Sequence, residues 1–319
     1  MRNRPLRQAQ DRPFKQVDVF SATPYLGNPL AVVLDGSDLS TQEMQHFAHW
    51  TNLSETTFVL PPSPRGAAAG ADYRVRIFTP GGELPFAGHP TLGTCHAWLQ
   101  AGGVPQVAHQ IVQECNLGLI RIRREGTRLA FAAPALKRAN PSPALLARVA
   151  AALGLKADQI IAAQMLDNGP VWLGLLLDSQ STVLQLAPDH LALKNLGQKV
   201  GVASVEPAQT ATTLIARSNR EARAFGSRPV EPGKTEESPQ VEVRAFAAPV
   251  GVNEDPVTGS FNASLAQWLI ADGLAPSSYV AAQGACLGRA GEVHIAQDAS
   301  GQVWVGGDSV TCIDGSVTL

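Results

Sequence analysis

The sequence predicts an α+β protein of two related halves, each a mixed β-sheet with one central helix, and two observations carry that reading. The first is a repeated signature. "VRIF" (75–78) leads into "PFAGHPTLGT" (85–94) and then Trp98-Leu99, while "VRAF" (243–246) leads into "NEDPVTGS" (253–260) and then Trp268-Leu269. His-Pro-x-x-Gly-Thr in the first copy answers Asp-Pro-x-x-Gly-Ser in the second, with spacings that differ by a few residues in each arm. This is a degenerate duplication and not a tandem solenoid. The second observation is length: 319 residues exceed the ~100–150 that one core usually fills.

Taken in order, the first half opens with a strand at 16–20, a turn through "PYLGNP" and a second strand at 30–34. Ser40 and Glu43 have capping-box spacing, which predicts a helix from Thr41 to about Trp50 that Asn52 can end. "TTFVL" (56–60) is β-branched and aromatic and reads as a strand with Glu55 at its entrance. "PPSPRGAAAGAD" reads as a surface loop. Strand 73–78 leads into the first motif and its helix, which runs to about Leu99. Strands at 110–114, 119–123 and 128–131 follow, turned by "NLG" and "EG" as a short antiparallel meander. Near Pro134 a Pro/Ala connector begins, and Ser142-Pro143 opens a helix that Gly154 closes. The first half is therefore placed at 14–133 and the second at 134–302, with a cleft between them. "VWLGLLLD" is a buried strand, and the polar stretch 220–240 is a loop. Strand 241–246 leads into the second motif and a helix over 260–270. The strands near 303–319 are free to return to either half.

Composition limits the function classes. A net charge of −2 with 45% hydrophobic residues gives no excess positive charge for a phosphate backbone, so no nucleic acid is expected as partner. The basic N-terminus lacks the apolar run of a signal peptide, and no stretch approaches the ~18 apolar residues of a membrane span. A cytoplasmic protein without membrane partners is the expectation. Cys95, Cys115, Cys286 and Cys312 form no C-x-x-C pair, which fits reduced thiols and no metal site. His46 and His49 lack a third ligand and read as surface residues.

Both motif copies place an ionisable residue before proline, which biases it toward extended backbone. Gly93 and Gly259 allow close approach of a ligand, and Thr94 and Ser260 can cap the helices that follow. A helix start with free N–H groups suits a carboxylate. A lone copy would be an ordinary structural turn. His89 and Asp255 at matching places instead suggest groups that orient or protonate a polar substrate. Glu55, Glu83 and Glu254 have the ordinary alternative of solvated carboxylates.

"NLSETTFV", "FTPGGELPFAGHPTLGT", "NEDPVTGS", "QGACLGRAGEV" and "VWVGG" together resemble the phenazine-biosynthesis isomerase family (PhzF-like proteins), within the diaminopimelate-epimerase-like fold. The resemblance runs from Phe14 through nearly the whole chain. It implies two pseudo-symmetric domains, each a barrel-like mixed sheet around a central helix, with the active site in the cleft between them. It implies that Glu55 is the catalytic acid/base, that His89 and Asp255 orient the substrate and assist proton movement, and that Gly88, Gly259 and Ser260 bind it. The implied chemistry is a cofactor-free isomerisation of a small cyclic or aromatic-precursor amino or hydroxy acid, as with dihydro-hydroxyanthranilate, on a small-molecule carboxylate substrate. A homodimer is compatible with the fold by analogy.

The sequence departs from the family at Phe261 and at Cys95-His96, which bears on pocket volume. Epimerases and racemases on this fold use two facing thiols. Cys95 has no counterpart, since Phe261 stands after the second Gly-Ser, so the single-carboxylate isomerase ranks above an amino-acid epimerase or racemase. A non-catalytic small-molecule binder is the third reading, which the acid/base candidate Glu55 opposes.

Overall fold

The computed structural model describes residues 9–206 and 240–319. The stretch 220–239, read above as part of a loop, lies outside them. Each half presents eight strands in one order of pairing. In the first these are Asp11–Val19, Asn28–Val33, Glu55–Leu60, Tyr73–Thr79, Gly82–Leu84, Gln110–Cys115, Gly118–Glu125 and Arg128–Ala132. In the second they are Ile160–Asp167, Val171–Leu177, Val200–Val205, Val241–Ala247, Val252–Asp255, Ser278–Gln283, Gly291–Gln297 and Val303–Gly307.

In both halves the first two strands are antiparallel, the second and third parallel, and the third and fourth antiparallel. The fourth carries the short fifth as a hairpin and pairs in parallel with the sixth, after which two antiparallel pairs close the set. The two eighth strands then pair antiparallel with each other, Ala130 opposite Gly306. That is how equivalent edges meet about a twofold axis. The last strand, Ser309–Thr318, runs antiparallel along Asp11–Val19, so the C-terminus completes the sheet of the first half. The matching strand after the first half, Lys137–Ala139, pairs with Ile160–Asp167.

Each sheet wraps a central helix, Gly88–Gln100 or Gly259–Ala271. Residues 88–95 of the first and 259–266 of the second are buried without interruption. A helix apolar all round belongs inside its sheet and not on the surface. Cys95 lies in this core. Phe261, fully buried, turns its ring into the core of the second half, against Trp172 at 5.4 Å between centroids. Gly201 makes room for it, since a Cβ there would lie 2.2 Å from the Phe261 ring. The bulky ring is thus matched by a missing side chain on the facing strand.

Local chemistry sets the boundaries. Ser40 and Glu43 form the capping box, and Asn52 ends the helix Thr41–Thr51 in the left-handed conformation. "PPSPRGAAAGAD" is not all loop: Ser63 caps, and Pro64 starts, a short helix at Pro64–Ala68, the arrangement Ser-Pro favours.

The duplication is real, but its register differs from the one the sequence suggested. Arg76 pairs with Glu83 and Arg244 with Glu254, at 2.6 and 2.8 Å, so the two strand arginines clamp equivalent hairpin glutamates, neither of them a freely solvated carboxylate. Aligned on those pairs, "ELPFAGH" (83–89) matches "EDPVTGS" (254–260). Gly88 answers Gly259, His89 answers Ser260, and Leu84 answers Asp255. Gly93 and Thr94 lie within the helix: Gly93 packs on Leu30 and Val19, and Thr94 donates to Thr57. The apparent match of His-Pro with Asp-Pro joined residues at different depths of the two halves.

Candidate active site

The N-termini of the two central helices meet head to head. A Cβ on Gly88 would fall 2.6 Å from the carbonyl carbon of Gly259, and one on Gly259 would fall 2.8 Å from Cα of Gly88. Only two glycines allow that approach. Neither helix has a side-chain cap, so first-turn amides from both halves are presented at one point, where an anion is favoured. A cleft opens there, lined among others by Glu55, His89, Asp255, Ser260, Trp172 and Lys199. Gly88 and Gly259 line it too, so every residue the sequence singled out for the site comes to one place.

Asn28, fully buried at the start of its strand, ties these groups together. Its amide nitrogen donates to Oδ1 of Asp255 at 2.8 Å and to the Val257 carbonyl at 2.9 Å, and also reaches Nδ1 of His89 at 3.2 Å. Its oxygen accepts from Ser54 at 3.1 Å. The reverse orientation would set the Asn28 oxygen against two acceptor oxygens, so the network fixes the amide. His89 Nδ1 is then the acceptor and its proton resides on Nε2. Asp255 is satisfied at both oxygens, the second by the Thr258 hydroxyl at 2.7 Å. Gln283 braces the turn behind it by donating to the Asp255 carbonyl and accepting from the Thr258 amide.

Against this saturated network, two atoms stand out. Glu55 Oε2 and His89 Nε2 are buried, have no hydrogen-bond partner, and face each other at 3.6 Å, too far for a bond of their own. Burial raises the Glu55 carboxyl to about 8, with the Asp255 charge adding to the rise. Burial raises Asp255 as well, to about 6, against the lowering effect of its Thr258 and Asn28 bonds. Burial depresses His89 to about 3, so its imidazole is neutral. The arrangement offers a neutral N–H donor beside a carboxyl whose proton is exchangeable near neutrality.

Asn28, Ser54, Thr258, Gln283 and Lys199 were not singled out from sequence. The "GNP" before a strand and the lysine before another carry no chemical signature until the topology brings them to one cleft. Cys95 does not reach the cleft, and burial pushes its thiol up to about 12. Among the described residues no cluster suited to a metal ion occurs, and no helix is long and apolar enough to cross a membrane.

Two duplicated halves, each a mixed sheet around a helix and sharing one polar cleft, define the α+β fold class of the epimerases and PhzF-type isomerases. The chain belongs to the family described as phenazine biosynthesis-like protein, which it matches over residues 17–315. It is 35% identical to antisense-enhancing sequence 1 of Schizosaccharomyces pombe, over 95% of this chain and 97% of that one. It is 38% identical to the trans-2,3-dihydro-3-hydroxyanthranilate isomerase of Pseudomonas fluorescens, over 56% of this chain and 62% of that enzyme. The crystal structure of a Bacillus anthracis phenazine biosynthesis protein of the PhzF family superposes with a TM-score of 0.75 at 20% identity, covering 97% of this chain and all of that one (100%).

Proposed function

We propose that this chain is a cofactor-independent isomerase that moves a proton within a small cyclic amino or hydroxy acid, in the manner of trans-2,3-dihydro-3-hydroxyanthranilate isomerisation. The observation that carries the reading is the pair of unpartnered buried atoms, Glu55 Oε2 and His89 Nε2. Buried polar atoms are normally bonded, and two left open toward one cleft await a ligand. The uncapped amides at Gly88, Gly259 and Ser260 hold the polar end of that ligand. Glu55 as carboxylate takes a proton from the carbon bearing the hydroxyl. The C–H electrons move into the conjugated system, and the carboxylic acid so formed returns the proton to the carbon at its far end. The enol left behind becomes a ketone, so the product has the atoms of the substrate. A group that takes and returns one proton works best with a pKa near the working pH. His89 donates from Nε2 to the oxygen on which charge develops, and Asp255 holds Asn28, and through it the His89 tautomer.

An epimerase acting through facing thiols finds no pair here, since among the described residues no cysteine lines the cleft. The test is turnover of trans-2,3-dihydro-3-hydroxyanthranilate in D₂O. Wild type converts it with deuterium at the receiving carbon, or with direct return of the original proton. Glu55→Gln binds within a few-fold and loses roughly 10²–10⁴ in rate. Near wild-type turnover by the variant removes Glu55 from the mechanism.

A further inference from the structure

The pseudo-twofold that relates the two halves assigns Glu55 a counterpart. Glu55 precedes Thr56, which pairs with Phe78 of "VRIF". Lys199 precedes Val200, which pairs with Phe246 of "VRAF". At the equivalent place on the second half the chain therefore carries a base where the first carries an acid, and both side chains line the same cleft.

Lys199 is half-buried. Its ammonium rests 4.8 Å from the centre of the Trp172 ring. Among the described residues it has no carboxylate within 4.0 Å and no hydrogen-bond acceptor. The nearby acids are already committed: both oxygens of Asp255 are bonded to Asn28 and Thr258, and Glu55 opens toward His89. A partly desolvated ammonium is costly unless paired, and an aromatic face compensates only in part. A negative group on a ligand bound in the cleft would complete it.

We infer that Lys199 is a specificity residue that supplies the counter-charge for the substrate's anionic group, so that the cleft selects acids over neutral analogues. It rests on the function proposed above, with the division of labour set by the duplication: Glu55 handles the proton from one wall and Lys199 the charge from the other. The helix-end amides favour an anion but also accept a neutral amide carbonyl. Lys199 adds a full charge that only the acid can pair. Its charge, felt by both Glu55 and Asp255 and lowering both, is also partly offset by Asp255, so a single carboxylate on the ligand is the match.

The test is calorimetric titration of wild type, Lys199→Met and Lys199→Arg with anthranilate and with its neutral twin, anthranilamide. A hydrogen bond to a charged group sets the scale, about ten- to hundredfold in affinity. Wild type should prefer the acid by about that factor. The Met variant should lose the preference while binding the amide within twofold of wild type, and the Arg variant should keep most of it. Equal loss for both ligands, or no loss, overturns the role of Lys199 and leaves the proposed function standing. If wild type binds neither aromatic but acetate raises its melting temperature only when Lys199 is present, the anion site stands and the cyclic-acid reading falls. If no anion binds at all, both fall.

Discussion

Glu55→Gln is also a test of the site that needs no substrate, because the replacement acts on stability with a defined pH dependence. The carboxyl ordinarily titrates at 4.5 and is raised to about 8 in the folded state. Below 4.5 it is neutral in both states, and ionisation takes nothing from stability. As pH rises from 4.5 toward 8 the unfolded chain ionises Glu55 while the folded site resists, so stability falls across that window and levels above it. At about 1.4 kcal/mol per unit, the separation corresponds to a ceiling of roughly 5 kcal/mol. The glutamine amide faces the same unpartnered surroundings and carries its own desolvation cost of about 1–3 kcal/mol. The net gain for the variant at pH 9 is therefore about 2–4 kcal/mol. With an unfolding entropy near 2.1 cal/mol/K per residue over 319 residues, that is roughly 3–6 °C. Urea and thermal unfolding of both proteins from pH 4 to pH 9 measure it. The variant should lie about 1–3 kcal/mol below wild type at pH 4 and gain steadily on it up to about pH 8. A pH-independent difference, or a variant less stable at pH 9, refutes the burial argument. A variant both more stable and inactive would mark Glu55 as a residue kept for chemistry at the expense of stability.

His89 should stay neutral as an Nε2–H tautomer from pH 5 to 9 in nitrogen NMR. Its folded pKa lies below the ordinary 6.5, so its contribution to stability is present above 6.5 and lost as pH falls toward 3; a titration near 6.5 would place it outside the buried network. Asn28→Leu leaves Asp255, Val257 and His89 short of a donor, at about 1–3 kcal/mol per unsatisfied buried group, so urea unfolding should show a loss of at least about 2 kcal/mol, and an unchanged midpoint would remove Asn28 as the organiser. Gly88→Ala drives a methyl into the backbone of Gly259. Overpacking of this kind costs about 1–3 kcal/mol, and the variant should also lose anion binding, because the two helix ends must part; wild-type binding would disconnect that contact from the site.

Much of the fold was legible because its determinants are local. Ser40 with Glu43, Asn52, Ser142-Pro143 and Gly154 mark helix ends through their own side chains or backbone, and each does so in the structure. The helix at Pro64–Ala68 carried the same Ser-Pro signal as the one at 143, but the glycines and alanines around it read as loop. Glu55, assigned by the family resemblance, and His89 and Asp255, singled out by the repeated motif, come together in one cleft. Asn28 and Lys199 stayed hidden for a different reason: neither has a local motif, and what gives them chemistry is which strands pair.

The repeat itself illustrates the limit. The string match of His89 with Asp255 identified the correct regions but not the correct equivalences, because proline and glycine recur for local reasons at several places near a helix start. Only partners distant in sequence fix the register: Arg76 with Glu83, Arg244 with Glu254, and the two glycines in mutual contact. Once register is fixed, the chemistry is seen to be unequal by position. His89 is equivalent to Ser260, Leu84 to Asp255, and Glu55 to Lys199. A symmetric scaffold has therefore kept its backbone equivalence, above all the glycine pair that brings the amides together, while every side chain proposed to act on the substrate differs across the axis. Such a site presents unlike groups to the two faces of a ligand, which suits a proton moved along one face better than a stereocentre inverted between two matched bases.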